Sequence, residues 1–147
     1  MRLIMVICCA IIACANFAFA SDTVIGSVKT ATGKSTIVRD GAAISANVGA
    51  RLFQNDVLET GDDGALGIIF RDNTILSLGP NSKITINEFV FIPAEEKFSF
   101  VTKMLKGTAS YISGLIVKLS PDSARFETPT AMIGIRGTRF LVQVEDK

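Results

Sequence analysis

The 147-residue sequence has no histidine, no tryptophan and one tyrosine, Tyr111; its three cysteines, Cys8, Cys9 and Cys14, all lie near the N-terminus. Each absence removes a class of chemistry. Without histidine the chain lacks the side chain that ordinarily titrates near neutrality, and with it the usual general base and an imidazole ligand for zinc. With no cysteine beyond position 14, the body of the chain has neither a thiolate nucleophile nor a disulfide, so its core must rest on packing alone. A platform for stacking bases or sugars would have to be made of phenylalanine. Strong charge of either sign is missing too. There are 15 basic and 14 acidic residues, and the two counts become equal once Arg2 is set aside. Lysines and arginines are scattered singly, so there is no basic field to hold nucleic acid, and none is expected as a partner.

Residues 1–20 raise the hydrophobic content to 48%. Arg2 makes a minimal positive n-region, Leu3 to Ala15 is apolar, and Ala18-Phe19-Ala20 places small residues at a cleavage site before Ser21. The expectation is a signal peptide over 1–20, a single domain over 21–147, and a periplasmic or secreted product with no membrane span after cleavage. An uncleaved anchor is the first rival. The apolar stretch only just reaches the length of a span, and nothing basic follows it as a stop signal. The second rival is lipidation, because Ile11-Ile12-Ala13-Cys14 loosely fits a lipoprotein processing site that would anchor the chain at Cys14. The apolar run before Cys14 is short, so cleavage after Ala20 is preferred.

From Ser21 onward the sequence is a series of short β-like runs punctuated by Gly, Asn and Asp. Thr23 to Thr30 and Lys34 to Arg39 read as strands, and Asp40-Gly41 is a strong hairpin signal before Ala42 to Ala46. Leu66, Ile68 and Phe70 alternate with Ala65, Gly67 and Ile69, and the small residues on that second face allow another sheet or turn to approach closely. Arg71-Asp72-Asn73 and Gly79-Pro80-Asn81-Ser82 are turns on either side of Thr74 to Leu78. Lys83 to Ile92 is the longest strand candidate. Ile84 and Ile86 fall on one face and Phe89 and Phe91 on the other, so a bulge is expected near Glu88. Pro93 to Lys97 is a solvated charged loop. Phe98 to Met104 is a strand ended by Lys106-Gly107; Thr108 to Ile112, Leu115 to Leu119 and Ala124 to Glu127 follow as short strands. No apolar stripe at helical spacing is evident. Strands at this density predict an all-β sandwich, barrel or solenoid.

The most distinctive stretch runs from Phe126 to Phe140. Pro129 biases Thr128 towards an extended backbone and starts a new segment. Gly134 interrupts the apolar run Ala131 to Ile135, which suggests a bulge or a close backbone approach. Arg136-Gly137 marks a sharp turn in which Gly137 can take a positive φ. Beyond it, Phe140, Val142 and Val144 alternate with Leu141, Gln143 and Glu145 as a half-buried strand. The string Thr128-Pro129-Thr130-Ala131, then Gly134, Arg136-Gly137-Thr138 and Phe140, resembles the terminal signature of the FecR domain family. Gly49 to Leu52, Asn55 to Gly61, Asp72-Asn73-Thr74 and Leu78 to Ser82 resemble earlier family segments in the right order. Two positions depart from the pattern. Arg139 stands where an acidic residue is common, and Asn73 where glycine is frequent, the latter a mild change because Asn tolerates the left-handed region.

The resemblance implies a single compact β-roll or sandwich with right-handed β-helix character. It also implies an extracytoplasmic domain of a bacterial envelope protein. In named members this domain belongs to an inner-membrane regulator and relays occupancy of an iron-siderophore transporter to a sigma factor. Here no cytoplasmic segment precedes the hydrophobic stretch and only seven residues follow Phe140. The expected role is therefore that of a protein-interaction or scaffold module with another envelope protein as partner. The alternative is a cell-wall or polysaccharide-binding module, against which the scarcity of Trp and Tyr counts. A carboxylate hydrolase is remote, because Asp62 and Asp63 are adjacent in turn chemistry. A calcium site would require Asp56, Asp62, Asp63 and Asp72 to converge from separate loops. No catalytic residue, cofactor or metal is assigned. Thr128, Pro129, Thr130, Gly134, Arg136, Gly137, Thr138 and Phe140 are the candidate functional residues, structural or partner-binding. Arg136 is expected to be an internal donor that satisfies backbone carbonyls at a strand junction.

Overall fold

A computed structural model describes residues 22–137 and 139–146; the signal peptide and Cys14 expectations lie outside them. The described chain is all-β, with twelve strands: β1 (Gly26–Thr32), β2 (Ser35–Arg39), β3 (Ala42–Ser45), β4 (Arg51–Leu52), β5 (Val57–Thr60), β6 (Ala65–Phe70), β7 (Ile75–Leu78), β8 (Lys83–Ile92), β9 (Lys97–Ile112), β10 (Ala124–Glu127), β11 (Met132–Gly134) and β12 (Arg139–Val144). One short helix, α1 (Leu115–Leu119), links β9 to β10. No described helix is long and apolar enough to cross a membrane.

β9 organises the fold. Its 16 residues pair along one edge with β7 and β8 in turn, so that 75–92 and 97–112 form one long hairpin. Along its other edge the first half pairs with β10 and the second half with β12. The hairpin bends in the middle. Gly107 has φ +96° on one arm, the Gly79 to Ser82 turn interrupts the other, and the register shifts between Lys83 and Ile84. On one side of the bend the sheet runs β3-β2-β5-β8-β9-β10-β11; on the other it runs β4-β1-β6-β7-β9-β12. The two halves close over a shared core. Phe70 of β6 packs on Phe89 and Phe100 of β8 and β9, with ring centroids 5.6 and 4.7 Å away. Tyr111, Phe126 and Phe140 continue the row of rings from β9, β10 and β12.

Several local expectations are corrected. Lys106-Gly107 bends the strand instead of ending it, which makes β9 longer than β8. The shift between Ile86 and Glu88 is the expected bulge. Its effect is to return Phe89 to the core face alongside Ile84 and Ile86, which all three occupy. Leu115 to Leu119 is helical, not extended. Asp72 decides this: its carboxylate accepts from the Ile116 N–H (3.2 Å) and its carbonyl from the Leu115 N–H (2.7 Å), satisfying donors that open a helical turn. β-branched residues there follow the tertiary context over their own preference. Gly134 is neither bulged nor crowded, since β11 pairs with β10 in unbroken register and a Cβ there would meet nothing within 4 Å. The ladders are antiparallel except that of β9 with β10, so the parallel stacking of a β-helix is confined to one contact.

Candidate functional site

The terminal signature wraps the open side of the bend. Thr128 and Ala131 close a four-residue turn: the Thr128 N–H donates to the Ala131 carbonyl at 2.8 Å, and the Ala131 N–H to Thr128 Oγ1 at 3.0 Å. Pro129 and Thr130 occupy its exposed tip. The turn fixes the β10–β11 hairpin, which buries Phe126 and packs Ile133 against the core. Ile135 follows, buried, with its N–H 3.3 Å from the Ala124 carbonyl. The chain then turns out. Gly137 has φ +107°, the positive value expected of it. Thr138 lies outside the described residues. Phe140 returns to the core, stacked on Tyr111 with centroids 5.0 Å apart and edge-on to Phe126 at 5.5 Å.

Arg136 is not internal. Its side chain is 83% exposed and lies 3.6 Å from the equally solvated Asp122. It follows buried Ile135 where the chain has left β11 and turns out into solvent. Such an exposed pair adds little to stability.

Between the Thr128 to Ala131 turn and β12 lies a cleft of about 550 Å³. Leu105, Ile133, Val142 and Val144 give it an apolar floor, and Glu145 and Asp146 stand on its rim. It exists because β10 and β12 leave the same edge of β9 on opposite sides of the bend. Leu105 is consequently 38% exposed. Two buried side-chain hydroxyls lack a hydrogen-bond partner among the described residues, those of Thr102 and Tyr111. They sit on β9 opposite Phe126 of β10 and Phe140 of β12. Burial pushes the Tyr111 pKa up from its ordinary 10.0 and the Asp72 charge adds to this, while the nearby Thr74 hydroxyl acts in the other direction.

On the opposite side of the bend the earlier motifs interlock. The Thr60 hydroxyl donates to the Gly79 carbonyl (2.7 Å) and accepts from the Ser82 N–H (2.9 Å). Ser82 Oγ donates to the Thr108 carbonyl at 3.1 Å and accepts the Thr108 N–H at 3.0 Å. Gly107 packs so closely on Ser82 that a Cβ there would overlap its backbone and hydroxyl.

A family model described as FecR protein matches residues 56–147. The chain belongs to the FecR family. No curated protein and no solved structure matches it. The family is linked to envelope signalling in general. The matched region begins at Asp56, so Gly49 to Leu52 falls outside it although its likeness to the family was noted in the sequence. Within the match, the FecR segments occupy the two sides of one corner: Asp56 to Gly61 and Leu78 to Ser82 close it, and Thr128 to Phe140 lines its open flank. Asn73 does take a left-handed conformation, φ +67°. Arg139 is exposed at the start of β12.

The carboxylates considered for calcium do not converge, and no group of three or more acidic residues suited to a metal occurs among the described residues. Asp56 is buried and held by Arg39 through two 2.8 Å contacts, with the Phe53 N–H as a third donor at 2.9 Å. The hydrogen bond to Asp56 raises the Arg39 pKa further, against the effect of burial. Arg39 also lies over the Phe53 ring, 4.4 Å from its centroid. Asp63 accepts from the Lys34 N–H at 3.0 Å, a turn contact. Sequence reasoning missed the Arg39–Asp56 clasp and the Asp72 cap. The available signal was a single acidic residue beside apolar or β-branched neighbours in each motif.

Proposed function

We propose that this chain is an exported bacterial envelope protein whose FecR domain acts as a protein-interaction or scaffold module in signalling of the iron-uptake type. The observation that carries this reading is the cleft flanking the signature turn. An apolar floor between two terminal strands, β11 and β12, suits an extended segment of a partner protein, which would add backbone pairing to side-chain burial. The reading assigns no catalytic step, in keeping with a chain that has no histidine and no cysteine after position 14. A polysaccharide-binding role is disfavoured because no aromatic ring is among the exposed large hydrophobic residues described.

Thr130→Arg tests the reading at an exposed cleft position. The variant should melt like wild type and lose crosslinks to the envelope partner that wild type captures. Undiminished crosslinking, together with co-sedimentation of the chain on purified wall material, would favour the polysaccharide alternative. Export is tested separately by intact mass. Cleavage after Ala20 gives a chain starting at Ser21, and an acylated chain starting at Cys14 would overturn it.

A further inference from the structure

β12 leaves one edge of its sheet open. It pairs with β9 alone. Val142 and Gln143 border both the cleft and a second hollow, of about 610 Å³, over Ser77 and Ser110. The direction of its free main-chain groups follows from the ladder. The Gly79 N–H donates to the Thr108 carbonyl at 3.0 Å, so the main-chain groups of Thr108, Ser110 and Ile112 point towards β7. Those of Gly107, Ala109 and Tyr111 point towards β12, where they meet Val144, Val142 and Phe140. The N–H and C=O groups of Arg139, Leu141 and Gln143 are thus directed at the open edge.

Proteins normally blunt such edges. Of the other edge strands, β4 has two residues, β11 three and β3 four. β12 has six, contains no proline, glycine or lysine, and keeps unbroken register with β9. Its middle is apolar. Leu141 is 79% exposed, and Phe140, Val142 and Val144 are only partly buried against the core. Its two ends carry opposite charge: Arg139 opens the strand and Glu145 follows it, both exposed. No ion pair engages either among the described residues. An acidic residue at position 139, as is common in the family, would make both ends negative.

We propose that this edge is a self-association site whose occupant is the β12 edge of a second copy, paired antiparallel to form one sheet through both molecules. A two-fold axis normal to the sheet at Val142 sets edge against edge, with the core-facing sides of the two copies on the same side. Arg139 then stands opposite Glu145 of the second copy, and Leu141 opposite its Gln143, in register for ladder bonds between the outward main-chain groups. Val142 meets its own counterpart and Phe140 meets Val144, apolar cross-strand pairs that extend the packed surface. Moving the axis to Leu141 or Gln143 keeps the bonds but separates Arg139 from Glu145. Placing it between residues sets outward groups against inward ones. Charge and hydrogen-bond direction together select one register. The contact is isologous, so each edge is consumed by its twin and pairing stops at two copies. One strand pair makes a small interface, below about 1,200 Å² in total, and the dimer is concentration-dependent. This goes beyond the segment-binding reading, which needs the cleft floor and the free edge of β11, so either can fail alone.

Sedimentation velocity of the protein as recovered from cells, from about 1 µM to 1 mM, tests this. Wild type should shift from monomer to dimer across the range. Arg139→Glu sets two acids against each other at both ends of the pairing, and Glu145→Arg sets two arginines. Each should weaken the dimer by at least about tenfold and, at an exposed position, melt close to wild type. An equimolar mixture of the two variants should associate as wild type does. In the mixed pair, each position 139 again faces the opposite charge at position 145 of the other copy. A wild-type chain that stays monomeric throughout would overturn the proposal. So would single variants that dimerise like wild type, or a mixture that associates no better than either variant alone.

Discussion

The two flanks of the bend in β9 meet the same geometric problem with opposite results. A sheet that folds over at Gly107 must part its neighbouring strands on both edges. Along the β7–β8 edge the gap is filled by the Leu78 to Ser82 turn, and Thr60, Ser82 and Thr108 tie it down with hydrogen bonds to one another and to Gly79. Along the β10–β12 edge the gap stays open as the cleft. Stability is concentrated on one flank, and on the other an accessible apolar surface is left uncovered. Both flanks carry FecR motifs, so one family pattern encodes two physical tasks.

The sharpest way to break this contrast is at the bend. Gly107→Val combines a left-handed backbone with overlap on Ser82 and should cost about 4 kcal/mol, if it folds at all. Gly107→Ala provides a milder point on the same scale in a denaturant titration. Next in size is Thr60→Val, which leaves the buried Ser82 N–H without its acceptor and should cost about 2 kcal/mol. Gly137→Val, on the open flank, has comparable backbone strain but free space around it, so a loss of about 1–2 kcal/mol is expected in thermal melts. If Gly137→Val proved as damaging as Gly107→Val, the two flanks would not differ as described.

Tyr111→Phe sharpens the comparison through pH. The folded-state pKa of Tyr111 is raised above its unfolded value of 10.0, chiefly by burial. Its contribution is fully present below pH 10 and is lost as the pH climbs above it, because the unfolded chain releases the proton first. Tyr111→Phe should therefore flatten part of the alkaline fall in stability, read as a smaller difference between melts at neutral and alkaline pH than wild type shows. Smallest of all is Arg136→Ala, expected to shift stability by no more than about 0.5 kcal/mol because its ion pair with Asp122 is in solvent.

Much of this architecture was legible in the chain because its signals are local. Asp40-Gly41, with positive φ at both residues, is the hairpin turn that its sequence indicates, and the face switch around Glu88 does mark a bulge. Gly137 adopts the backbone region that only glycine enters freely. What escaped the sequence depends on distant partners. Lys106-Gly107 reads as a stop, and only Ser82 pressed against Gly107 shows why the strand turns a corner instead. Leu115 to Leu119 reads as strand until the Asp72 carboxylate, far back in the chain, caps it as a helix. The exposure of Arg136 follows from the chain's turn into solvent after buried Ile135, which a glycine-rich stretch does not reveal.

The length of β9 also bears on the order of assembly. Its pairing with 75–92 is a nested set of contacts that close progressively from the 93–96 loop, so this hairpin can zip early at low entropic cost. β12 is the last of the described strands in sequence, and it covers the second half of β9 along an edge that no other described strand pairs. Until it docks, 107–112 is an uncovered strand edge of the kind that seeds aggregation. A chain truncated before Arg139 is thus expected to keep the hairpin's amide protection in hydrogen exchange while precipitating at concentrations at which the whole chain stays in solution.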